Sequence, residues 1–154
     1  MLERDWFMRQ VRQLTQALQQ VIMQKQQGQL DEAQRILQQA IGQVDEDGRD
    51  TLRSVSLDET LRFCTRDGAF RPEFATTLAD LLIEEGDLLT RKGDPAEAQK
   101  SYTRALLLYR RTMRSEQATI PWNMGAKLSD LEAHLDDEEM DAIDRALDNG
   151  RASD

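Results

Sequence analysis

Two stretches of this chain, 65 residues apart, repeat one spacing of a glycine followed by small and large apolar residues. A helix-like stretch precedes each glycine and another follows it, which predicts two helices joined by a tight turn. Small residues on either side of one large residue allow the second helix to pack closely on the first. The pattern therefore predicts two helical hairpins and specifies packing, not chemistry. The repeated residues are Gly28, Leu30, Ala33, Leu37 and Ala40, then Gly93, Pro95, Ala98, Tyr102 and Ala105.

The composition favours helix throughout, because only 3 prolines and 8 glycines interrupt 154 residues. A chain of this length is expected to form one core and to bury roughly 68–70% of its surface. We expect an all-α fold of six or seven helices, built on antiparallel helical hairpins, in a single domain over residues 1–149, without a sheet. The expected elements are hairpins over 2–45 and 72–114, a short helix over 57–66, helices over 121–149 and a frayed tail over 150–154.

Several helix ends carry recognisable signals. Asp94, Pro95 and Glu97 supply an N-cap, a first-position proline and a capping-box carboxylate for the second helix of the later hairpin. Ser56 and Glu59 form a capping box for the short helix, which Asp67-Gly68 is expected to end. Asp136 is placed to cap the last helix.

The net charge of −9 is spread unevenly along the chain. Residues 1–43 hold five basic and four acidic side chains, a net of +1, whereas residues 128–154 hold two basic and ten acidic ones, a net of −8. Such a surface repels phosphate backbones and anionic lipid, so we expect neither nucleic acid nor a membrane as partner. Arginine outnumbers lysine by 16 to 4, which together with the acidic excess suggests a GC-rich or salt-adapted source.

Few residues suggest catalysis. Cys64 is the single thiol and His134 the single histidine, and neither lies in a pattern typical of a nucleophile. We expect Cys64 to be a core residue and His134 a partly exposed helical one. No catalytic, metal or cofactor-binding residues are predicted, and the chain is expected not to be an enzyme. The lone cysteine and the absence of a leader-like or membrane-spanning stretch predict a cytoplasmic protein.

The later hairpin resembles a tetratricopeptide repeat when Gly86 is taken as the inner glycine of the repeat, and the earlier one fits only in its second helix. The matching residues are Leu82, Leu89, Ala98, Tyr102 and Ala105. The resemblance implies a peptide-binding groove along the first helix of each hairpin. The groove positions would be Ile83, Asp87 and Arg91 in the later hairpin and Leu18, Ile22 and Gln26 in the earlier one, without the Lys/Asn set that grips a carboxylate terminus.

The N-terminus carries a second, shorter resemblance. The run Asp5-Trp6-Phe7-Met8-Arg9, followed by an apolar stripe and the turn after Gly28, is similar to a family of small bacterial helical proteins without an assigned function. This resemblance implies no activity.

Four cationic residues share one face of the predicted helix 95–114, within about 80° of one another at 100° per residue. This basic stripe consists of Lys100, Arg104, Arg111 and Arg114. Two interpretations stay open: the charges face water, or they dock an acidic partner, of which the chain's own C-terminal helix is the nearest.

Two functions are compatible with the sequence. The first is a non-enzymatic interaction module that binds a segment of a protein partner in a groove between the hairpins. The alternative is a self-associating structural protein, which would form a homodimer through the long N-terminal helix. The face for such a dimer would be Trp6, Phe7, Val11 and Leu14, which the sequence alone does not distinguish from a core-facing stripe.

Overall fold

The computed structural model describes residues 2–45, 47–49, 51–115, 120 and 122–152. Within these residues the chain is mainly helical, with seven helices and one short strand pair, which confirms the all-α class. The elements are α1 (Leu2–Gln26), α2 (Leu30–Val44), α3 (Leu57–Phe63), β1 (Thr65–Arg66), β2 (Ala69–Phe70), α4 (Pro72–Arg91), α5 (Pro95–Met113), α6 (Met124–His134) and α7 (Asp137–Ala152).

The pair α4–α5, here called the central hairpin, lies in the middle of the fold. The pair α1–α2, the N-terminal hairpin, packs against α4, and α6 and α7 pack against α5. The short helix α3 contacts α5 and α7. Because the central hairpin is covered on several sides, each of its two helices buries ten residues, whereas α2 buries five along one stripe.

Both hairpins turn in the same way. Gly28 and Gly93 have φ angles of 76° and 86°, a left-handed conformation that glycine adopts without steric cost. In each turn two amides donate back to carbonyls three and five residues earlier, which is the Schellman pattern. These bonds are Gly28 N to Lys25 O (3.0 Å), Gln29 N to Gln24 O (2.9 Å), Gly93 N to Thr90 O (3.1 Å) and Asp94 N to Leu89 O (2.9 Å).

The predicted N-cap side chains are confirmed, but the carboxylates of Glu59 and Glu97 pair with arginine and lysine side chains and do not close the predicted capping boxes. The Ser56 hydroxyl accepts from the Glu59 amide at 3.1 Å, and the Asp94 carboxylate accepts from the Glu97 amide at 3.4 Å. Asp136 accepts from the Glu139 amide at 2.8 Å, while Glu139 accepts from the Asp136 amide. These side chains satisfy helix amides that have no partner inside their own helices.

The expectation that the chain has no sheet, with the short helix reaching residue 66, is wrong. Helix α3 ends at Phe63, and β1 and β2 form a two-stranded antiparallel hairpin. Asp67 and Gly68 both have positive φ, 55° and 76°, as a type I′ turn requires. The Asp-Gly pair predicted to stop a helix therefore closes a strand pair.

The C-terminal boundary also differs from the prediction. The backbone of α7 stays helical to Ala152, past the expected start of a frayed tail at residue 150, while residues 153–154 lie outside the described part. The expected start of the C-terminal helices at residue 121 moves to Met124. None of the described helices is both long enough and apolar enough to cross a membrane.

Candidate functional site

A cleft of about 570 Å³ opens between α1, α4 and α6. Its volume falls within the range of roughly 300–1,000 Å³ that is typical of ligand pockets. The cleft follows the groove predicted between the two hairpins, and α6 adds a third wall. Its lining residues are Leu18, Ile22, Asp80, Ile83, Glu84, Asp87, Tyr102, Lys127, Asp130, Leu131, Ala133 and His134.

Two walls of the cleft are single faces of helices. Asp80, Ile83, Glu84 and Asp87 lie on α4 at positions i, i+3, i+4 and i+7, which share one side of a helix. On α6 the same spacing relates Lys127, Asp130, Leu131 and His134. Leu18 and Ile22, one turn apart on α1, complete the apolar part. The cleft is therefore an aliphatic groove edged by carboxylates.

At one end of the cleft, Lys25 of α1 is shared by two carboxylates of α4. Its ammonium contacts Glu84 and lies 3.5 Å from Asp87. Asp87 also accepts a hydrogen bond of 2.6 Å from the Tyr102 hydroxyl. Burial raises the pKa of Tyr102, and the adjacent Asp87 raises it further, so the phenol stays a protonated donor.

Toward the other end, two further carboxylates, Asp80 and Asp130, line the cleft together with one ammonium, that of Lys127. Asp80 accepts from the Tyr109 hydroxyl and from Lys127, whose ammonium lies 3.0 Å away. Burial raises the pKa of Tyr109, and the charge of Asp80 adds to the effect. Asp130, on the facing wall, is exposed and makes no ion pair or hydrogen bond within the described part of the chain.

Contacts between α5 and the end of α6 fix the position of the third wall. The His134 ring stacks on Tyr102 with 4.6 Å between centroids, and the Gln99 amide donates to the His134 carbonyl at 2.6 Å. Leu131, one turn earlier, is 2% exposed. Because Tyr102 also binds Asp87, one phenol links the α4 wall to the α6 wall.

The cleft contains four of the six predicted groove residues, and the other two lie outside it. Ile83 and Asp87 line the cleft together with Leu18 and Ile22, as the groove prediction implies. Arg91 does not line it, since its exposed guanidinium reaches the Lys25 carbonyl at 3.4 Å beyond the end of the cleft. Gln26 is exposed and lies outside the lining as well.

The basic stripe of α5 is largely engaged by other parts of the chain. Arg104 donates to the Val55 carbonyl, and the Arg111 guanidinium lies 4.4 Å from the centroid of Phe70. Lys100 pairs with Glu97, one turn away on the same helix. Arg114 is exposed. The stripe thus mainly holds the segment before α3 and the β-hairpin.

Docking of the acidic C-terminal helix on this stripe was one of two open interpretations, and among the described residues the contact uses a different cation of α5. Helix α7 packs on α5, but its ion pair runs from Asp144 to Arg110, at 3.1 Å. Arg110 also pairs with Glu132 of α6, and Thr103 donates to Glu139. Position 110 lies about 40° to 120° around the helix from the four stripe positions, with Arg114 the nearest, because each residue turns the helix by 100°.

The proposed dimer face of α1 is used mainly inside the molecule. Phe7 is 8% exposed and Leu14 is fully buried, while Trp6 and Val11 are half-buried against the same core. The Phe7 ring packs edge-on against Phe74 of α4, with centroids 5.8 Å apart. Phe7 and Leu14 are therefore core residues and do not form an exposed dimer face.

The α6 wall was not predicted as part of a site. Its spacing is visible in the sequence, but nothing in the sequence shows which groove α6 covers. That position depends on contacts with α5, such as the stacking of His134 on Tyr102.

The expectation for Cys64 is confirmed, because this thiol is fully buried and its burial raises its pKa, which opposes formation of a thiolate. Among the residues that the structure describes, no group of three or more His, Cys, Asp or Glu residues could hold a metal ion.

No family model matches this chain, and neither a curated protein nor a solved structure matches it. The resemblances to tetratricopeptide repeats and to the small bacterial helical proteins therefore stay predictions.

Proposed function

We propose that this chain is a cytoplasmic, non-enzymatic, tetratricopeptide-like interaction module that binds a segment of a protein partner in the cleft between α1, α4 and α6. The observation that carries the proposal is the cleft itself, where half-buried Leu18, Ile22 and Ile83 remain accessible beside carboxylates. Accessible aliphatic side chains in a groove between helices are typical of sites that take the apolar face of a peptide.

Two features support this function over self-association through α1. Phe7 and Leu14 are committed to the core, so a dimer through that face would have to expose them first. Residues Ile83 and Asp87, singled out from the repeat pattern, lie together in the cleft. The cytoplasmic assignment rests on the single cysteine and its burial.

Selection from a displayed library of random peptides against the purified chain tests the proposal. Ala133 and Ala126 are both exposed on α6, but only Ala133 lines the cleft. We expect Ala133→Trp to weaken the enriched peptides at least about tenfold, because the indole fills the cleft, and Ala126→Trp to leave their affinity unchanged. Chemical shifts should move at Leu18, Ile22 and Ile83.

Enriched peptides that bind both tryptophan variants equally, or no enrichment at all, would contradict the proposal. Light scattering on the same samples addresses self-association, since a dimer that persists at low concentration and masks the cleft would favour the alternative function.

A further inference from the structure

The charges around the cleft do not balance. Among the residues that the structure describes, four carboxylates line it, Asp80, Glu84, Asp87 and Asp130, whereas Lys127 is the one ammonium in the lining and Lys25 contacts the carboxylates from its edge. Four negative charges against two positive ones leave an excess of two. Two of the carboxylates, Asp80 and Asp87, are also held by neutral phenols, which orient them without cancelling their charge.

Three of the four carboxylates form a row along α4. Asp80, Glu84 and Asp87 follow one another along α4 over seven residues, which corresponds to about 10 Å at 1.5 Å per residue. The aliphatic strip formed by Leu18, Ile22 and Ile83 borders this acidic row. On the opposite wall, Asp130 adds a carboxylate that makes no ion pair with any other described residue. The cleft thus presents aliphatic side chains beside carboxylates over about two helical turns.

We propose that the occupant of this cleft is a cationic amphipathic helix of a partner protein, with large aliphatic residues on one face and Lys or Arg along the borders of that face. This inference rests on the proposed function and specifies its partner. Apolar side chains entering the cleft gain from burial, and flanking cations replace the missing positive charge at Asp130 and along α4. A segment with acidic flanks would meet repulsion on both walls.

Binding of labelled 14-residue peptides, measured by fluorescence anisotropy at 0.15 M salt, tests the inference. Three peptides share the same leucines on one helical face and carry only Lys, only Gln or only Glu on the other. We expect the Lys peptide to bind at least about tenfold more tightly than the Gln peptide, and the Glu peptide more weakly than both.

Matched variants separate the cleft from the general acidity of the chain. Asp130 on α6 and Asp141 on α7 are both exposed, and only Asp130 lines the cleft. Asp130→Lys should weaken the Lys peptide about tenfold and leave the Gln peptide unchanged. Asp141→Lys should change it by less than about twofold, because charges outside the site are screened at this ionic strength.

The outcomes distinguish this inference from the proposed function. A Gln peptide that binds as tightly as the Lys peptide, and loses affinity in Ala133→Trp, overturns the cationic partner but keeps the cleft as a binding site. Equal losses in Asp130→Lys and Asp141→Lys show attraction by net charge alone and overturn the inference. Lys-peptide binding that Ala133→Trp does not weaken places the peptide elsewhere and overturns both.

Discussion

The N-terminal and central hairpins share a turn but differ in how they pack. Gly28 and Gly93 end α1 and α4 with the same left-handed residue and the same two backbone bonds. Away from the turn, Gly86 and Tyr102 of the central hairpin correspond, at the 65-residue offset, to Val21 and Leu37 of the N-terminal one. All four are buried. One architecture is therefore filled by a glycine–tyrosine pair in one hairpin and by two aliphatic residues in the other.

The difference follows from the surroundings of each hairpin. The Tyr102 ring lies against Gly86 and stacks on His134, and its hydroxyl donates to Asp87. This one side chain of α5 therefore connects α4 and α6. Leu37 offers no polar atom for such a role. A glycine turn and alanine contacts are thus common to both hairpins. In the central hairpin, Tyr102 also connects three helices, and its ring fits against α4 because residue 86 is a glycine.

The largest effect should come from two of the helical glycines, Gly86 and Gly42. A Cβ at Gly86 would lie 2.5 Å from the Tyr102 ring, whereas at Gly42 of α2 it would have ordinary contact at 3.8 Å. We expect Gly86→Ala to lower the free energy of unfolding by about 1–3 kcal/mol through overpacking. Gly42→Ala should raise it by about 0.5–1 kcal/mol, because alanine favours helix. Urea unfolding measures both changes.

The variant Tyr102→Leu provides a further check. It replaces Tyr102 by the residue found at the corresponding position of the N-terminal hairpin, Leu37. If the clash with the ring causes the loss, Gly86→Ala should cost less in this background. A Gly86→Ala variant as stable as Gly42→Ala would show that the close approach is not needed.

The next effect concerns the start of the second helix in each hairpin. Asp94 caps α5 through the Glu97 amide, while the corresponding Gln29 makes no side-chain cap for α2. Asp94→Ala should lower the free energy of unfolding by about 0.5–2 kcal/mol, and Gln29→Asp should stabilise the chain by up to about 1 kcal/mol. Thermal unfolding of the two variants and the double variant gives the comparison. A destabilising Gln29→Asp would indicate that α2 needs a different cap geometry.

The smallest effect, a pH dependence, concerns Glu85, which is 3% exposed and corresponds to exposed Gln20. Burial raises the pKa of Glu85, although the Ser101 and Thr51 hydroxyls and Arg53 oppose the shift. Because the folded state then holds the proton more tightly than the unfolded one, stability should fall as pH rises from the ordinary Glu pKa of 4.5 toward the raised pKa.

Glu85→Gln removes this titration. The variant's stability relative to the natural chain should therefore increase with pH over the same window, while Gln20→Glu should add no comparable slope. Urea unfolding at a series of pH values measures the difference. A relative stability that decreases with pH would mean that Arg53 holds the pKa of Glu85 below its usual value.

Much of the fold was predictable because its signals are local. Gly28, Gly93, Asp94 and Ser56 act within a few residues of their own positions, so their roles could be inferred from neighbouring sequence. The Asp67-Gly68 pair is equally local but ambiguous, since it fits both a helix end and a type I′ turn. The strands that it joins are only two residues each, too short for a recognisable alternation.

The candidate site was predictable only in part. Ile83 and Asp87 follow from the repeat pattern, because one helix face is fixed by helical periodicity. Asp130 and His134 could not be placed, since the position of α6 depends on contacts about thirty residues away in sequence, between His134 and the Tyr102 and Gln99 of α5. The basic stripe was recognised as one face of a helix, but the sequence left its neighbours open, and the structure places Arg104 on Val55 and Arg111 on Phe70.

The sequence by itself determined the helices, the two hairpin turns and the faces that each helix offers, because these depend on backbone conformation and on spacing along the chain. Only the tertiary structure decided which faces meet. It buried Phe7 and Leu14 in the core, engaged Arg104 with Val55 and placed α6 over the groove. The sequence shows that each face is amphipathic but not which face it packs against. The free energy of burial depends on the apolar area removed from water and not on the identity of the partner.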